Sequence, residues 1–145
     1  MSPSVQIASA FVGTLGFAMV FGAKKKYWLL IAVDGALSWT LYLCLCNFMS
    51  SFFANLITAA FCSLYAHIAA RIVKAPTTCL LMPATVPMIP GGSLYYTMFY
   101  ALRGDMEEFQ IYLKNTAKTI FAMAIGFALI SLFFRIRELE RIGRD

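Results

Sequence analysis

Charge is what this sequence has least of. Only 13% of its 145 residues are Asp, Glu, Lys or Arg, while 61% are hydrophobic. An ordinary soluble domain carries about 25% charged and about 45–50% apolar residues. A soluble core of this size has no room for so much apolar surface, which excludes a water-soluble class. Histidine is nearly absent: His67 stands alone, too little for a metal centre built on imidazole. Cys44, Cys46, Cys62 and Cys79 all lie in apolar runs. Cys44-Leu45-Cys46 has the wrong spacing for a zinc or redox motif, so the four read as small buried hydrophobes rather than a disulfide framework. No Lys or Arg precedes Lys24. A cleavable signal peptide carries its positive charge before the apolar stretch, so this start reads as a retained span. The net charge of +5 sits in short clusters between apolar runs, the arrangement that orients membrane spans. With no aromatic-plus-basic surface, nucleic acid is excluded as a partner.

What the chain has is long apolar runs. They predict an all-α, polytopic membrane protein forming a single transmembrane domain over residues 1–145, in the lipid bilayer of the cell membrane. The expected spans are 3–22, 27–46, 50–73, 77–102 and 106–135. At about 20 residues per crossing, the first, second, third and fifth each cross once. Full crossing by the fourth places nine of the twelve basic residues on one side: Lys24, Lys25, Lys26, Arg71, Lys74, Arg135, Arg137, Arg141 and Arg144. The loop from Arg103 to Glu108 is net acidic and falls on the other. The positive-inside rule then predicts five spans, with the N-terminus outside and the C-terminus cytoplasmic. A re-entrant fourth segment would instead send the four tail arginines outside.

That fourth run holds Pro83, Pro87, Pro90, Gly91 and Gly92, the residue types that most disrupt a helix. As a helix, Thr77 to Ile89 reaches only about 20 Å, and Gly91 to Leu102 less. Neither crosses a core of about 30 Å. The expectation is two half-helices meeting near mid-membrane, discontinuous at Pro90-Gly91-Gly92. Free backbone groups survive in lipid only against protein or a watery cavity. A half-helix starting near Gly92-Ser93 would aim N–H groups at an anion, and the carbonyl end of the first half suits a cation. Broken helices of this kind are substrate sites in secondary transporters. A proline kink used only for packing is the alternative.

Within the runs, Asp34 is a carboxylate eight residues into a span, costly there and functional by default. Helical spacing puts Asp34, Ser38 and Tyr42 on one face, suited to a proton or a substrate ammonium. A carboxylate near the interface, snorkelling or paired with a lysine, is the alternative. His67 shares a face with Ser63, Arg71 and Lys74, and is read as a member of a proton relay with Asp34 or as a histidine bonded at a helix interface. Ser9, Gly13 and Gly16 on run one, and Asn115, Thr119, Ala122 and Gly126 on run five, form small or polar stripes that allow close helix packing. Lys114 and Lys118 stand at the outer mouth. Ser93 and His67 do not make an enzyme: no Gly-x-Ser-x-Gly elbow and no third orienting residue are present.

The segment "AARIVKAPTTCLLMPATVPMIPGGSLYYTMFYAL" resembles the signature of the threonine/serine exporter family, ThrE type. The matching features are Ala70-Arg71, Lys74-Ala75-Pro76, Pro87-Met88-Ile89-Pro90-Gly91 and Tyr95-Tyr96. "GALSWTLY", Gly35 to Tyr42, resembles the second span of the family, and Ser51-Phe52-Phe53-Ala54 the start of the third. Asp34 and His67 depart from the pattern. With about half the spans of full-length members, the chain is similar to the small YjjB-like subunit that corresponds to their C-terminal half. The resemblance implies a YjjP-like partner subunit in a hetero-oligomer and export of small amino acids such as threonine and serine, or of small dicarboxylates such as succinate. It implies drive by an ion gradient, the proton being the expected ion, with no metal or organic cofactor. The broken segment and the face of Asp34 together give the expected substrate-binding residues: Pro87, Pro90, Gly91, Gly92, Ser93, Tyr96, Asp34 and Ser38. A homo-oligomer, and a non-transporting scaffold or channel subunit, stay open as alternatives.

Overall fold

The computed structural model describes residues 2–142; Met1 and the stretch 143–145, with the Arg144 counted above, lie outside the described residues. Among the described residues every regular element is helical. Helix α1, Pro3–Val20, starts on a proline, whose missing N–H is one that a first turn leaves unpaired anyway. It ends at Phe21, and Gly22 turns the chain at φ +68. A 3-10 turn at Lys25–Tyr27 leads into α2, Trp28–Leu45, and the Trp28 indole N–H donates back to the Ala23 carbonyl at 2.8 Å. Helix α3 is Ser51–Val73 and stops at Lys74, which adopts φ +51. These three follow the first three expected spans to within two residues at each end.

The fourth run differs from its expectation in where it breaks. Helix α4, Thr77–Thr85, gives way to a 3-10 turn at Val86–Met88, and α5, Gly91–Arg103, begins with both glycines already helical. The interruption is therefore Val86 to Pro90, ahead of the expected Pro90-Gly91-Gly92. Proline chemistry explains the shift. Pro87 has no N–H and its ring crowds the carbonyl four residues back, so α4 cannot continue. Ile89, preceding Pro90, is held extended at φ −61, ψ 127, as residues before proline are. The interruption also lies beside Asn55, one turn into α3, and not level with its middle.

The fifth run is longer than expected: α6 is one helix of 37 residues, Met106–Ile142. At 1.5 Å per residue it measures about 55 Å, well beyond a hydrocarbon core of about 30 Å. Its two halves do different work. Thr116 meets Thr97 and Tyr112 stacks on Tyr100, so the first half carries α5 antiparallel along it. Gly126 abuts Leu56, Ala59 and Ala60, and Phe134 reaches His67 and Arg71, so the second half runs parallel to α3. Among the described residues four helices are long and apolar enough to cross a membrane: Pro3–Val20, Lys25–Leu45, Ser51–Val73 and Met106–Arg137.

The core is narrow and rich in alanine. Ala18, Ala59, Cys62, Ala66, Ala69 and Ala84 are buried around Ile31, Leu80 and Met88. Small side chains let helices approach closely, which matters in lipid, where apolar burial alone gives no drive to associate. Two glycines sit where a side chain would collide: a Cβ on Gly35 would run into Thr14, joining α1 to α2, and one on Gly126 would meet the Leu56 carbonyl and Ala59. By contrast, nothing lies within 4 Å of a Cβ built on Gly13 or Gly16. The small-residue stripe of α1, expected to pack, faces outward within this chain.

Candidate functional site

The interruption lines a pocket. Its volume is about 280 Å³, and its walls are Trp39 and Tyr42 from α2, Asn55 from α3, the stretch Pro87 to Ser93, and Thr119 from α6. Four helices and the broken backbone converge there because α4 ends early and α5 turns away along α6. The Gly91 N–H donates to the Ile89 carbonyl at 2.7 Å, and the first α-helical bond of α5 is Leu94 N–H to Pro90 O at 3.0 Å. The amides of Gly92 and Ser93 fall between these two and have no intrahelical acceptor. Pro90, as N-cap, offers no side-chain cap. Trp39 adds an indole Nε1 that is buried without a hydrogen-bond partner among the described residues. Among the described residues no charged side chain lines this pocket.

Asp34 lies elsewhere, at the middle of the bundle, 1% exposed. Ser38 Oγ donates to its Oδ1 at 3.3 Å, and Cys62 Sγ approaches its Oδ2 at 3.8 Å. Both donors are long and weak, and no cation pairs with the carboxylate among the described residues. The lysine-paired alternative is therefore not what this structure shows. A buried carboxylate with so little compensation is expensive to hold. One turn beyond Ser38 on the same face stands Tyr42, which opens into the pocket. Across from them α3 presents Asn55, Thr58 and Cys62 at helical spacing, and the Thr58 hydroxyl is fully buried with no partner among the described residues.

A sequence model of the threonine/serine exporter family, ThrE, matches residues 6–133, most of the chain. The chain belongs to the threonine/serine exporter family. No curated protein and no solved structure matches it. With its apolar helices, membership makes it a multi-pass protein of the cell membrane and a member of a transporter family rather than an enzyme family.

For an exporter of this family, the structure gathers some of the residues singled out in the sequence and separates others. Pro87, Pro90, Gly91, Gly92 and Ser93 share the pocket. Asp34 and Ser38 sit together outside its walls, Ser38 one turn and Asp34 two turns along α2 from Tyr42. Tyr96 is outside it, stacked with Tyr100 and Tyr112 between α5 and α6. His67 does not reach Asp34. Its Nδ1 lies 2.8 Å from the Ser63 carbonyl oxygen and its ring stacks on Phe134, 4.7 Å between centroids. Five residues beyond Cys62, it points to the flank of α3 that faces α6. Of the cysteines only Cys62 is buried; the other three are exposed on the helix surfaces. Asn55 and Thr58 have no place in the sequence reading, and Trp39 enters it only through the resemblance of Gly35 to Tyr42. An amide and a hydroxyl inside an apolar run are a usable signal; an indole is not, because tryptophan is common in apolar segments.

Proposed function

We propose that this chain is a subunit of a proton-coupled exporter of small zwitterionic amino acids, with the substrate at the pocket of the interrupted segment and the proton at Asp34. The observation that carries the reading is the pocket itself: an uncharged cavity with N–H donors at Gly92 and Ser93 that have no intrahelical acceptor. Those donors suit a carboxylate. A zwitterion such as threonine or serine is neutral as a whole and matches a neutral cavity. A dicarboxylate such as succinate would bring two charges into a site with no cation to compensate them, so the amino acid is the better fit.

Distance separates the two roles. Asp34 and Tyr42 are eight residues apart, a rise of about 12 Å along α2. The ammonium and carboxylate of an amino acid share one carbon and lie within about 4 Å of each other. Asp34 is not among the walls of the pocket, so a substrate held by the pocket amides leaves it free. Asp34 therefore serves the coupling ion, and Ser38 and Tyr42 supply the polar face between it and the substrate. The unpartnered Thr58 hydroxyl supports a route that water or substrate visits. His67 has no part in this path.

The partner is a YjjP-like membrane subunit. Support comes from surfaces that this chain leaves open: Gly13 and Gly16 on α1, and the groove of about 410 Å³ where Ser9, Ala10, Gly13 and Phe17 meet Val86 and Pro87. A helix laid there would close the outer side of the interruption. The test is export of labelled threonine, serine and succinate from cells making this chain with and without that partner. Threonine or serine export that needs both subunits and collapses with the proton gradient is expected. No transport of any of the three by the pair sinks the reading, and an ion conductance from the purified chain alone would make it a channel subunit instead.

A further inference from the structure

The opposite end of the bundle holds a second polar cavity, of about 410 Å³, which export does not use. Arg71 and Lys74 reach it from the end of α3, Thr77 from the start of α4, and Ser131 and Arg135 from α6. It exists because α6 runs parallel to α3 and brings its last apolar turns beside the tight turn at Lys74-Ala75-Pro76. Phe134 fixes the arrangement: His67 stacks on its ring, and the Arg71 guanidinium lies 4.8 Å from its centre. Helix α4 opens into the cavity with Pro76 as N-cap and no side-chain cap. Its first backbone bond is Cys79 N–H to Pro76 O at 3.1 Å, so the amides of Thr77 and Thr78 have no acceptor within the helix. Lys74 holds its place in the left-handed region at φ +51, a conformation that suits glycine or asparagine better.

The cavity thus joins three cations and a helix N-terminus, and no described carboxylate pairs with Arg71, Lys74 or Arg135. Such a site calls for a compact anion with several acceptor oxygens. The flanking surface decides which kind. On α6, within about a turn of Ser131 and Arg135, apolar side chains are turned outward: Leu132, Phe133 and Ile136 are each about half exposed. A ligand resting here meets positive charge at one end and hydrocarbon along the other. We propose that the cleft between α3, α4 and α6 binds the phosphate headgroup of an anionic phospholipid, with the acyl chains lying along that apolar flank. Basic pockets at the ends of membrane helices hold lipid headgroups by this combination. The proposal does not depend on which substrate is exported.

The test uses the full chain equilibrated with vesicles of equal phosphatidylglycerol and phosphatidylcholine, then extracted in mild detergent, with retained lipid measured by mass spectrometry. Phosphatidylglycerol should be enriched at least about tenfold, each cation contributing about fivefold. Arg71→Gln, Lys74→Asn and Arg135→Gln should each lower the enrichment by about that factor, and the triple variant should abolish it. Arg71→Lys, which keeps the charge, should retain most of it, and helicity by circular dichroism separates lost binding from lost folding. Lys114→Gln with Lys118→Gln, far along α6, should change nothing. Equal retention of the two lipids by the unaltered chain, or enrichment that survives the triple variant in a folded protein, overturns the proposal. Full displacement by inorganic phosphate, with equal thermal protection, would mark a soluble-anion site and overturn it as well.

Discussion

Replacing Gly91 and Gly92 by alanine separates stability from transport at the interruption. Both glycines are helical, and neither is among the positive-φ residues. A Cβ added to either meets nothing within 4 Å. Alanine therefore fits without strain and removes unfolded-state freedom, stabilising the chain by about 0.4–1 kcal/mol per site. The pair, at about 1–2 kcal/mol, should raise the midpoint of thermal unfolding by about 2–4 °C per kcal/mol. The same substitution puts two methyl groups at the mouth of a pocket of about 280 Å³. Gly92→Leu goes further and covers the Gly92 and Ser93 amides. Loss of one hydrogen bond to a charged group costs about 1.5–3 kcal/mol, so threonine export at low substrate should fall about 10- to 150-fold. The assay is initial export of labelled threonine, with surface expression and thermal midpoint measured on the same preparation. A folded Gly92→Leu protein that exports at the unaltered rate refutes contact between substrate and these amides. A drop in thermal midpoint for the alanine pair refutes the account of how α5 begins.

Asp34→Asn keeps the shape and removes a carboxylate that has only two weak donors, so the chain should fold at unchanged or slightly higher stability. Gradient-driven accumulation should be lost while substrate exchange across vesicles persists; loss of both would move Asp34 into the substrate pocket. Gly126→Ala forces a Cβ against the Leu56 carbonyl and Ala59 and should destabilise by about 1–3 kcal/mol, seen as a lower thermal midpoint. Gly16→Ala, facing open space, is its neutral control in the isolated chain but should weaken co-purification with the partner. Thr97→Val removes the hydroxyl that joins α5 to α6 through Thr116 at 3.4 Å and should cost about 0.6 kcal/mol; a larger loss would mean that this contact anchors the whole hairpin.

Several features were legible in the sequence because they depend on local composition. Three prolines within eight residues must interrupt a helix at one of them, although α4 runs on through Pro83, and Asp34 in an apolar run must be costly in any membrane fold. Where the break would lie within the fold was not legible. The sequence suggested mid-membrane, yet the path of α4 along α3 brings it beside Asn55. Helical periodicity likewise put His67, Ser63 and Arg71 on one face, but which neighbour that face meets depends on the parallel course of α6. The stripe Ser9, Gly13 and Gly16 carries the usual mark of a packed interface, and in this chain it faces outward.

By itself the sequence determined the class of the molecule, its long helices, the existence of an interruption and the cost of Asp34. These follow from how single residues and short runs transfer into lipid and tolerate helical geometry. The tertiary structure alone decided that Trp39, Tyr42, Asn55 and Thr119 join the interrupted segment in one pocket. It alone set Asp34 two turns away from it, and gathered Arg71, Lys74 and Arg135 into a second cavity. The physical reason is that helix–helix contacts in lipid are chosen by shape at a few small residues, such as Gly35 and Gly126. Their partners are distant in the chain, and no local pattern states which face will find which.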